Sequence, residues 1–227
     1  MTSRQRFYDS IAHEFDGLMN PYDLERRLDV IFDRLLQGRT LSGLRVLDVG
    51  CGTGPFSLAA QQRGASIVSL DIGLELLRVA RAKGVTRTVA ADAARLPFAD
   101  GRFDVVLSSE CVEHTTNPEQ CVAEMLRVLR PDGILVLTCP NRLWRWSAVA
   151  ASALRIRPYQ GLENWPGWRT LERWVRAHGG RVTTHLGLHL FPFVLPVTWP
   201  LLRRLDQFGS RLGPIYINQA IAAIRVS

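Results

Sequence analysis

Apolar residues at Leu24, Leu28, Ile31, Phe32 and Leu35 recur three or four positions apart, and the run closes at Gly38. That spacing predicts one helical segment over Arg4–Leu36. The period then changes. Leu44–Gly50 (LRVLDVG) is a short apolar run ending in turn residues, the pattern of a strand buried on both faces. Ser66–Asp71, Thr86–Asp92, Phe103–Ser109 and Ile134–Cys139 read the same way. Helical stretches separate them: one opening at Gly54-Pro55, one over Leu74–Lys83 and one over Cys121–Leu129. The last is preceded by Asn117 as N-cap, Pro118 at the first helical position and Gln120 as the capping-box residue. Pro131-Asp132-Gly133 reads as a turn. Beyond Asn141 the rhythm loosens into a helix over Trp168–His178 stopped by Gly179-Gly180, a strand over Val182–Leu188, a helix over Pro200–Phe208 and a last strand over Tyr216–Val226.

Strand and helix alternate through the first 140 residues, which predicts an α/β fold with a parallel sheet and helices on both faces. No linker interrupts the chain. The expectation is one unit over 1–227, with an N-terminal helical cover (1–40), a core (41–141) and a cap with the last strands (142–227). With 227 residues, 47% of them hydrophobic, such a unit can bury its core without disulfides or metals. The composition excludes a disordered tail, a collagen-like repeat and a disulfide miniprotein. Cys51, Cys111, Cys121 and Cys139 form no C-x-x-C pair and meet no histidine cluster, so zinc is not expected and the thiols read as reduced. The first residues carry charge throughout rather than the apolar stretch of a signal peptide, which gives a cytoplasmic expectation. Leu186–Leu202 alone is membrane-like, but His189, Pro192, Pro196 and Pro200 interrupt it, and it is not read as a span.

Charge changes the picture of the C-terminal third. Residues 141–227 hold 12 arginines against Glu163, Glu172 and Asp206, a net +9, whereas the preceding residues hold 16 basic against 18 acidic groups. All six tryptophans also follow residue 140. An anion-attracting face and an ordinary solvated arginine-rich surface both fit this distribution.

The sharpest chemical signal is Val46-Leu47-Asp48-Val49-Gly50-Cys51-Gly52-Thr53-Gly54 at the end of the first strand. Glycines at 50, 52 and 54 let the backbone turn tightly and approach a ligand. The helix that follows offers N–H groups to an anion. Asp71 closes the second strand, where a carboxylate can accept both hydroxyls of a ribose. A nucleotide-type cofactor follows, of a kind these facts leave open. The spacing is G-x-G-x-G rather than the dinucleotide G-x-G-x-x-G, Pro55 removes one donor, and Asp48 would repel a diphosphate while suiting an ammonium group. A nicotinamide oxidoreductase is the rival enzyme reading.

VLDVGCGTG, then SLD, then ADAARLPFADGRFDVVLSSECVEH and EMLRVLRPDGILVLTCPN resemble the class I S-adenosylmethionine-dependent methyltransferases. The branch most similar includes ubiquinone and menaquinone biosynthesis enzymes and natural-product O-methyltransferases. The likeness covers Tyr8–Asp16 and Leu44–Asn141. It implies a Rossmann-like, seven-stranded, mostly parallel sheet with an elaborated C-terminal cap, and S-adenosyl-L-methionine as cofactor with S-adenosyl-L-homocysteine as product. Carried over, it assigns Asp48, Gly50 and Gly52 to the methionine end, Asp71 to the ribose, Ile72 and Ala93 to the adenine ring, Asp92 to the adenine amino group and Ser109 to the space below the sulfonium. Tyr8, within Phe7-Tyr8-Asp9, belongs to the segment that would close over the cofactor together with Phe15-Asp16. The lesser alternatives are that Asp71 only caps a helix at Gly73 and that Asp92 is only a turn residue.

Methyl transfer is an in-line displacement in which the protein aligns the nucleophile and excludes water. A hydroxyl acceptor benefits from a general base, and His114 after the fourth strand is the candidate, its ordinary alternative being a loop hydrogen bond. His185, His189, Tyr159 and Glu163 are further candidates, and no metal site is expected. Trp144, Trp146, Trp165, Trp168, Phe191, Phe193 and Trp199 could wall an apolar pocket, pack a long connection, or, through 186–204 with Arg203 and Arg204, touch a membrane interface. Nucleic acid is a poor fit, because Ser108-Ser109-Glu110 lacks the polar-Pro-Pro-aromatic turn of exocyclic-amine methylases and Cys139-Pro140 reverses the Pro-Cys order of cytosine enzymes. The expected activity is methylation of a small apolar or aromatic acceptor, on oxygen of an aromatic, quinone-like or sugar-bearing metabolite, with carbon methylation second. A catalytically silent S-adenosylmethionine-binding protein is the rival of another class.

Overall fold

The computed structural model describes residues 10–153 and 163–226. Among these, seven strands form one sheet: β1 (Arg45–Val49), β2 (Ser66–Asp71), β3 (Thr88–Ala90), β4 (Phe103–Ser109), β5 (Leu129–Pro140), β6 (Gly180–Leu188) and β7 (Asn218–Arg225), in the order β3-β2-β1-β4-β5-β7-β6. β1 to β5 run parallel, and β7 lies antiparallel between β5 and β6. The mixed, mostly parallel α/β sheet is therefore the one expected.

Both faces are covered because successive side chains point to opposite sides. Leu135, Leu137 and Cys139 of β5 join one core with Ile221 and Ala223 of β7, while Val136, Ala220 and Ala222 join the other. The first core is closed by α4 (Pro118–Val128) and α6 (Trp168–Ala177), through Cys121, Met125, Leu171 and Val175. The second is closed by α1 (Pro21–Asp29), its continuation Val30–Leu35 and α2 (Pro55–Gln62). Helices α3 (Leu74–Ala82), α5 (Arg145–Ala153) and α7 (Trp199–Leu205) are the other α-helices longer than one turn among the described residues.

Three expectations change. The long N-terminal helix is broken at Met19-Asn20: Pro21 holds the residue before it extended, and Asn20 Oδ1 accepts from the N–H groups of Tyr22 and Asp23 at 3.0 and 3.3 Å. Val30–Leu35 then widens into a π-helical turn that buries Val30, Ile31, Phe32 and Leu35 together. Pro131-Asp132-Gly133 does turn, but inside β5: Phe103 pairs with Leu129 and Val105 with Ile134, so the residues between bulge out, with Asp132 left-handed at φ +60°.

The parallel strands end on one edge, at Val49, Asp71, Ser109 and Pro140. Asn218 pairs with both Pro140 and Leu188, so the 189–217 connection leaves from this edge and returns to it. That connection lies flat on β6. A Cβ on Gly187 would sit 2.5 Å from that of Tyr216, and one on Gly209 would collide with the Gly187 carbonyl. Asn141 Nδ2 holds the return by donating to the carbonyls of Pro214 and Tyr216 at 2.9 and 3.2 Å.

Gly50 and Gly38 separate two costs of adding a methyl group. Both have positive φ, +74° and +62°, but Gly50 also faces Cys111, whose Cβ lies 2.5 Å from where a Cβ would be, while Gly38 faces nothing within 4 Å. Gly38→Ala should cost about 1 kcal/mol and Gly50→Ala about 3 kcal/mol or more in chemical denaturation. Equal losses would show that Cys111 gives way freely.

Candidate active site

The glycine turn leaves β1 with φ of +74°, +53° and +88° at Gly50, Gly52 and Gly54, a left-handed run that only glycine adopts cheaply. The N–H groups of Gly50 and Cys51 both donate to the Leu70 carbonyl at 2.7 and 2.9 Å, which folds the turn against β2. The missing Cβ atoms of Gly50 and Gly54 make room for Cys111 and for Val85. Gly52 is different, because its open side faces the Phe15 ring, 3.4 Å from where a Cβ would lie. Phe15 belongs to a short helical turn, Phe15–Leu18, pinned when Thr53 Oγ1 donates to Asp16 Oδ1 at 2.5 Å and Lys83 pairs with the same carboxylate. The N-terminal segment thus lies over the glycine turn. Tyr8 and Tyr159 fall outside the described residues.

Asp71 Oδ2 accepts from the Gly52 N–H and Oδ1 from the Gly73 N–H, both at 2.8 Å. The carboxylate bridges the turn after β1 to the start of α3, so the capping alternative is present alongside any ligand role. Ile72 follows, half-buried. Asp92 is exposed and accepts from the Ala94 N–H at 2.9 Å, while Ala93 is buried against the core.

Asp48 sits beneath the turn, 1% exposed, accepting from Ser57 Oγ at 2.5 Å, and Ser57 in turn meets Ser69 Oγ at 2.7 Å. Burial pushes its carboxyl up to about 7, the Ser57 hydroxyl opposes that, and the charge of Asp71 adds to it. No cation pairs with Asp48 among the described residues. A buried carboxyl of this kind ionises more readily beside a positive charge than beside a diphosphate.

Ser109, at the tip of β4, is held from two sides. Its Oγ lies 2.9 Å from Thr138 Oγ1 and accepts from Arg27 Nη1 at 3.0 Å. Arg27 is buried, sits 5.6 Å from the Phe56 ring centroid and pairs with Asp23 at 2.7 Å. Asp23 also meets His189 Nε2 at 3.0 Å. Although burial alone would raise the Asp23 carboxyl, Arg27 and His189 hold it below its ordinary value. Beside them Glu110, left-handed at φ +53°, accepts from Thr138 Oγ1 and Asn218 Nδ2, both at 3.1 Å; burial raises its pKa against the pull of Arg27. Asp23, Arg27, Glu110 and Asn218 form a polar floor at the strand-end edge that was not foreseen from sequence. The one local signal was the i, i+4 spacing of Asp23 and Arg27.

His114 lies in a one-turn helix, Val112–His114, just past the tip of β4, partly exposed and with Nε2 3.8 Å from Glu113 Oε1. An open cleft of about 400 Å³ lies beside that loop, with Thr116, Pro118, Arg142, Arg145, Trp165 and Trp174 in its walls. Glu163 lines it too. His185 is elsewhere: it stacks on Trp168 with ring centres 3.4 Å apart and sits between Glu172 and Gln219, its pKa lowered by burial. The cap aromatics pair off instead of converging, Trp199 on Tyr22, Phe193 on His189 and Trp144 on Trp146. Of the membrane-like stretch, Leu186, Leu188 and His189 are buried. No described helix is long and apolar enough to cross a membrane.

Asp48 makes a pH-dependent prediction. The folded chain keeps a proton there that the unfolded chain has lost, so this group's contribution to stability falls as pH rises from the ordinary carboxylate range to about 7. Asp48→Asn should therefore gain on the parent by on the order of 2–4 kcal/mol between about pH 4 and pH 8. Parallel stability curves for the two proteins in thermal denaturation would contradict it.

Residues 47–137 match the family model described as a methyltransferase domain. A demethylmenaquinone methyltransferase of Clavibacter sepedonicus is 33% identical over 78% of this chain and 85% of its own, and one of Parafrankia is 31% identical over 75% and 86%. An S-adenosylmethionine-dependent methyltransferase structure from Mesorhizobium loti shares the fold, with a TM-score of 0.65 at 19% identity over 87% of this chain and 100% of that one. With a glycine turn after β1, a carboxylate closing β2 and relatives matched along most of their length, the chain belongs to the class I S-adenosylmethionine-dependent methyltransferases.

Proposed function

We propose that this methyltransferase acts on an apolar, ring-bearing small molecule with a phenolic or quinol oxygen, at the edge where β4 and β5 end. Support for the acceptor comes from the cap: the segments overhanging that edge are rich in tryptophan and aliphatic side chains and contain a single acid, the buried Asp206, over 141–153 and 190–217. The cofactor assignment rests on Asp71. Its oxygens accept from the Gly52 and Gly73 N–H groups, and a carboxylate's acceptor sites, about four in all, suffice for the two ribose hydroxyls as well. Gly52 lets the methionine part approach the turn, and the ammonium would draw the buried Asp48 below it into its charged form. Ile72, Ala93 and Asp92 would meet the adenine, and Phe15 with Tyr8 would close over the whole. S-adenosylmethionine, when bound, supplies an electrophilic methyl on a good leaving group.

Ser109 and the Arg27–Asp23 pair form a rigid floor under the acceptor, and His114 at the adjoining loop takes the hydroxyl proton as the oxygen becomes methylated. The division into cover, core and cap belongs to the same reading, with the cap facing the acceptor. Carbon methylation is the second reading, favoured by the relatives named demethylmenaquinone methyltransferases.

Calorimetric titration tests the cofactor. S-adenosylhomocysteine should bind and NADH should not; the reverse would restore the oxidoreductase reading. Asp71→Ala should raise the S-adenosylhomocysteine dissociation constant by about 10²-fold, the worth of two hydrogen bonds to a charged group. Unchanged affinity would leave Asp71 as a cap alone. With an accepted phenol or quinol, His114→Gln should lower kcat by about 10²-fold or more while sparing cofactor affinity. A loss below about threefold would reduce His114 to a loop contact. The carbon-13 shift of the transferred labelled methyl separates oxygen from carbon methylation.

A further inference from the structure

Helix α7 continues through 3-10 turns at Asp206–Phe208 and Gly213–Ile215 and a short helix at Gly209–Leu212, forming one helical run from Trp199 to Ile215. Its buried positions are Leu202, Asp206, Gly209 and Gly213, followed by Tyr216. Each lies three or four residues after the last, which fixes the face turned to β6. One residue earlier at each step comes a second stripe: Leu201, Leu205, Phe208, Leu212 and Ile215. Four of these are open, from 41% exposed at Phe208 to 52% at Leu201. The connection leading into the run adds Val194 and Val197, at 70% and 83%.

A second apolar row adjoins the first. Leu143, Trp146 and Val149 repeat every three residues and are more than half exposed. Trp144 Nε1 donates to the Ile215 carbonyl at 2.8 Å, which ties this row to the end of the other. Both belong to segments that leave or return to the strand-end edge of the sheet.

Its charge is one-sided. Arg204 and Arg211, seven residues apart, flank the long stripe, and Arg142 and Arg145 flank the short one. All four are exposed, and none has an ion-pair partner among the described residues, whereas Arg203 is already taken by Glu25. Open aliphatic and tryptophan side chains bordered by unpaired arginines match a bilayer interface, where the apolar groups enter the acyl boundary and the cations meet anionic headgroups. The stripe differs from the aromatic set marked by sequence alone: Phe193 and Trp199 pack inward, on His189 and Tyr22.

We propose that Leu143–Val149 and Val194–Ile215 form a docking surface for an anionic lipid bilayer, placing the active-site edge against the membrane so that a lipid-soluble acceptor enters from it. The route of the acceptor rests on the function proposed above; the docking itself is measured apart from it.

Flotation of the full chain tests the idea, with vesicles of phosphatidylcholine alone or mixed with phosphatidylglycerol. The parent should float with the mixed vesicles and release in high salt. Leu201→Asn, Phe208→Asn and Leu212→Asn together should lower the bound fraction by about tenfold or more. Arg204→Glu with Arg211→Glu should do the same for mixed vesicles, and these exposed positions decide the matter if the apolar triple variant is unfolded. Affinity for S-adenosylhomocysteine should be unchanged in the folded variants. A parent that stays in the bottom fraction with both vesicles overturns the proposal, as do variants that float as well as the parent. A parent that fails to float but sediments as a dimer dispersed by the triple substitution also overturns it, giving the surface to a second copy. Flotation without S-adenosylhomocysteine binding would count against the proposed function and leave the docking surface standing.

Discussion

The structure depends on a left-handed backbone directly after β1. At the point where the strand order reverses between β1 and β4, the chain must leave the sheet, turn within five residues and enter α2. Positive φ at Gly50, Gly52 and Gly54 makes that possible, and the two hydrogen bonds to the Leu70 carbonyl lock it against β2. Everything chemical is arranged around this crevice, as is usual where parallel strands diverge. Asp71 reaches across to the turn from β2, Asp48 lies under it, and the Phe15 segment lies above it. The missing side chains divide their work: two make room for Cys111 and Val85, and the third lets the Phe15 ring lie against the turn.

The second organising element is electrostatic. Arg27 is taken out of water on the N-terminal helix, and its charge is balanced by Asp23 on the preceding turn. Breaking one half of such a pair is costly because the other is left buried and uncompensated. The pair therefore acts as a clamp between the N-terminal helix, the tip of β4 through Ser109 and, through His189, the connection that follows β6. Three remote pieces of chain meet at the strand-end edge through one guanidinium and one carboxylate.

Legibility from sequence followed the range of the interactions. The strands, the glycine turn, Asp71 at the end of β2 and the Asn117-Pro118 helix start could be read because backbone geometry and local hydrogen bonds dictate them. The break at Asn20-Pro21 uses the same Asn-Pro device and was equally readable, but the apolar spacing on either side concealed it. Ser109 with Arg27 and Asp23 with His189 are separated by 82 and 166 residues, so only the return of the chain to one edge brings them together. The cap shows the same limit. Phe193, Trp168, Trp199 and Leu202 found partners inside the fold, while Trp146, Phe208, Leu201 and Leu212 stay open, and hydrophobicity alone does not say which side chains the topology will supply with neighbours.

The helical run across β6 has a consequence for how such a protein can diversify. The residues that seat it, Leu202, Asp206, Gly209 and Gly213, and those it displays, Leu201, Phe208, Leu212 and Ile215, occupy separate registers of the same segment. Substitutions in the displayed register leave the close backbone approach of Gly209 to Gly187 untouched. The outward chemistry of the cap can therefore drift from one lineage to the next while the strand-end edge below stays folded, which lets one scaffold be redirected to new surroundings without being rebuilt.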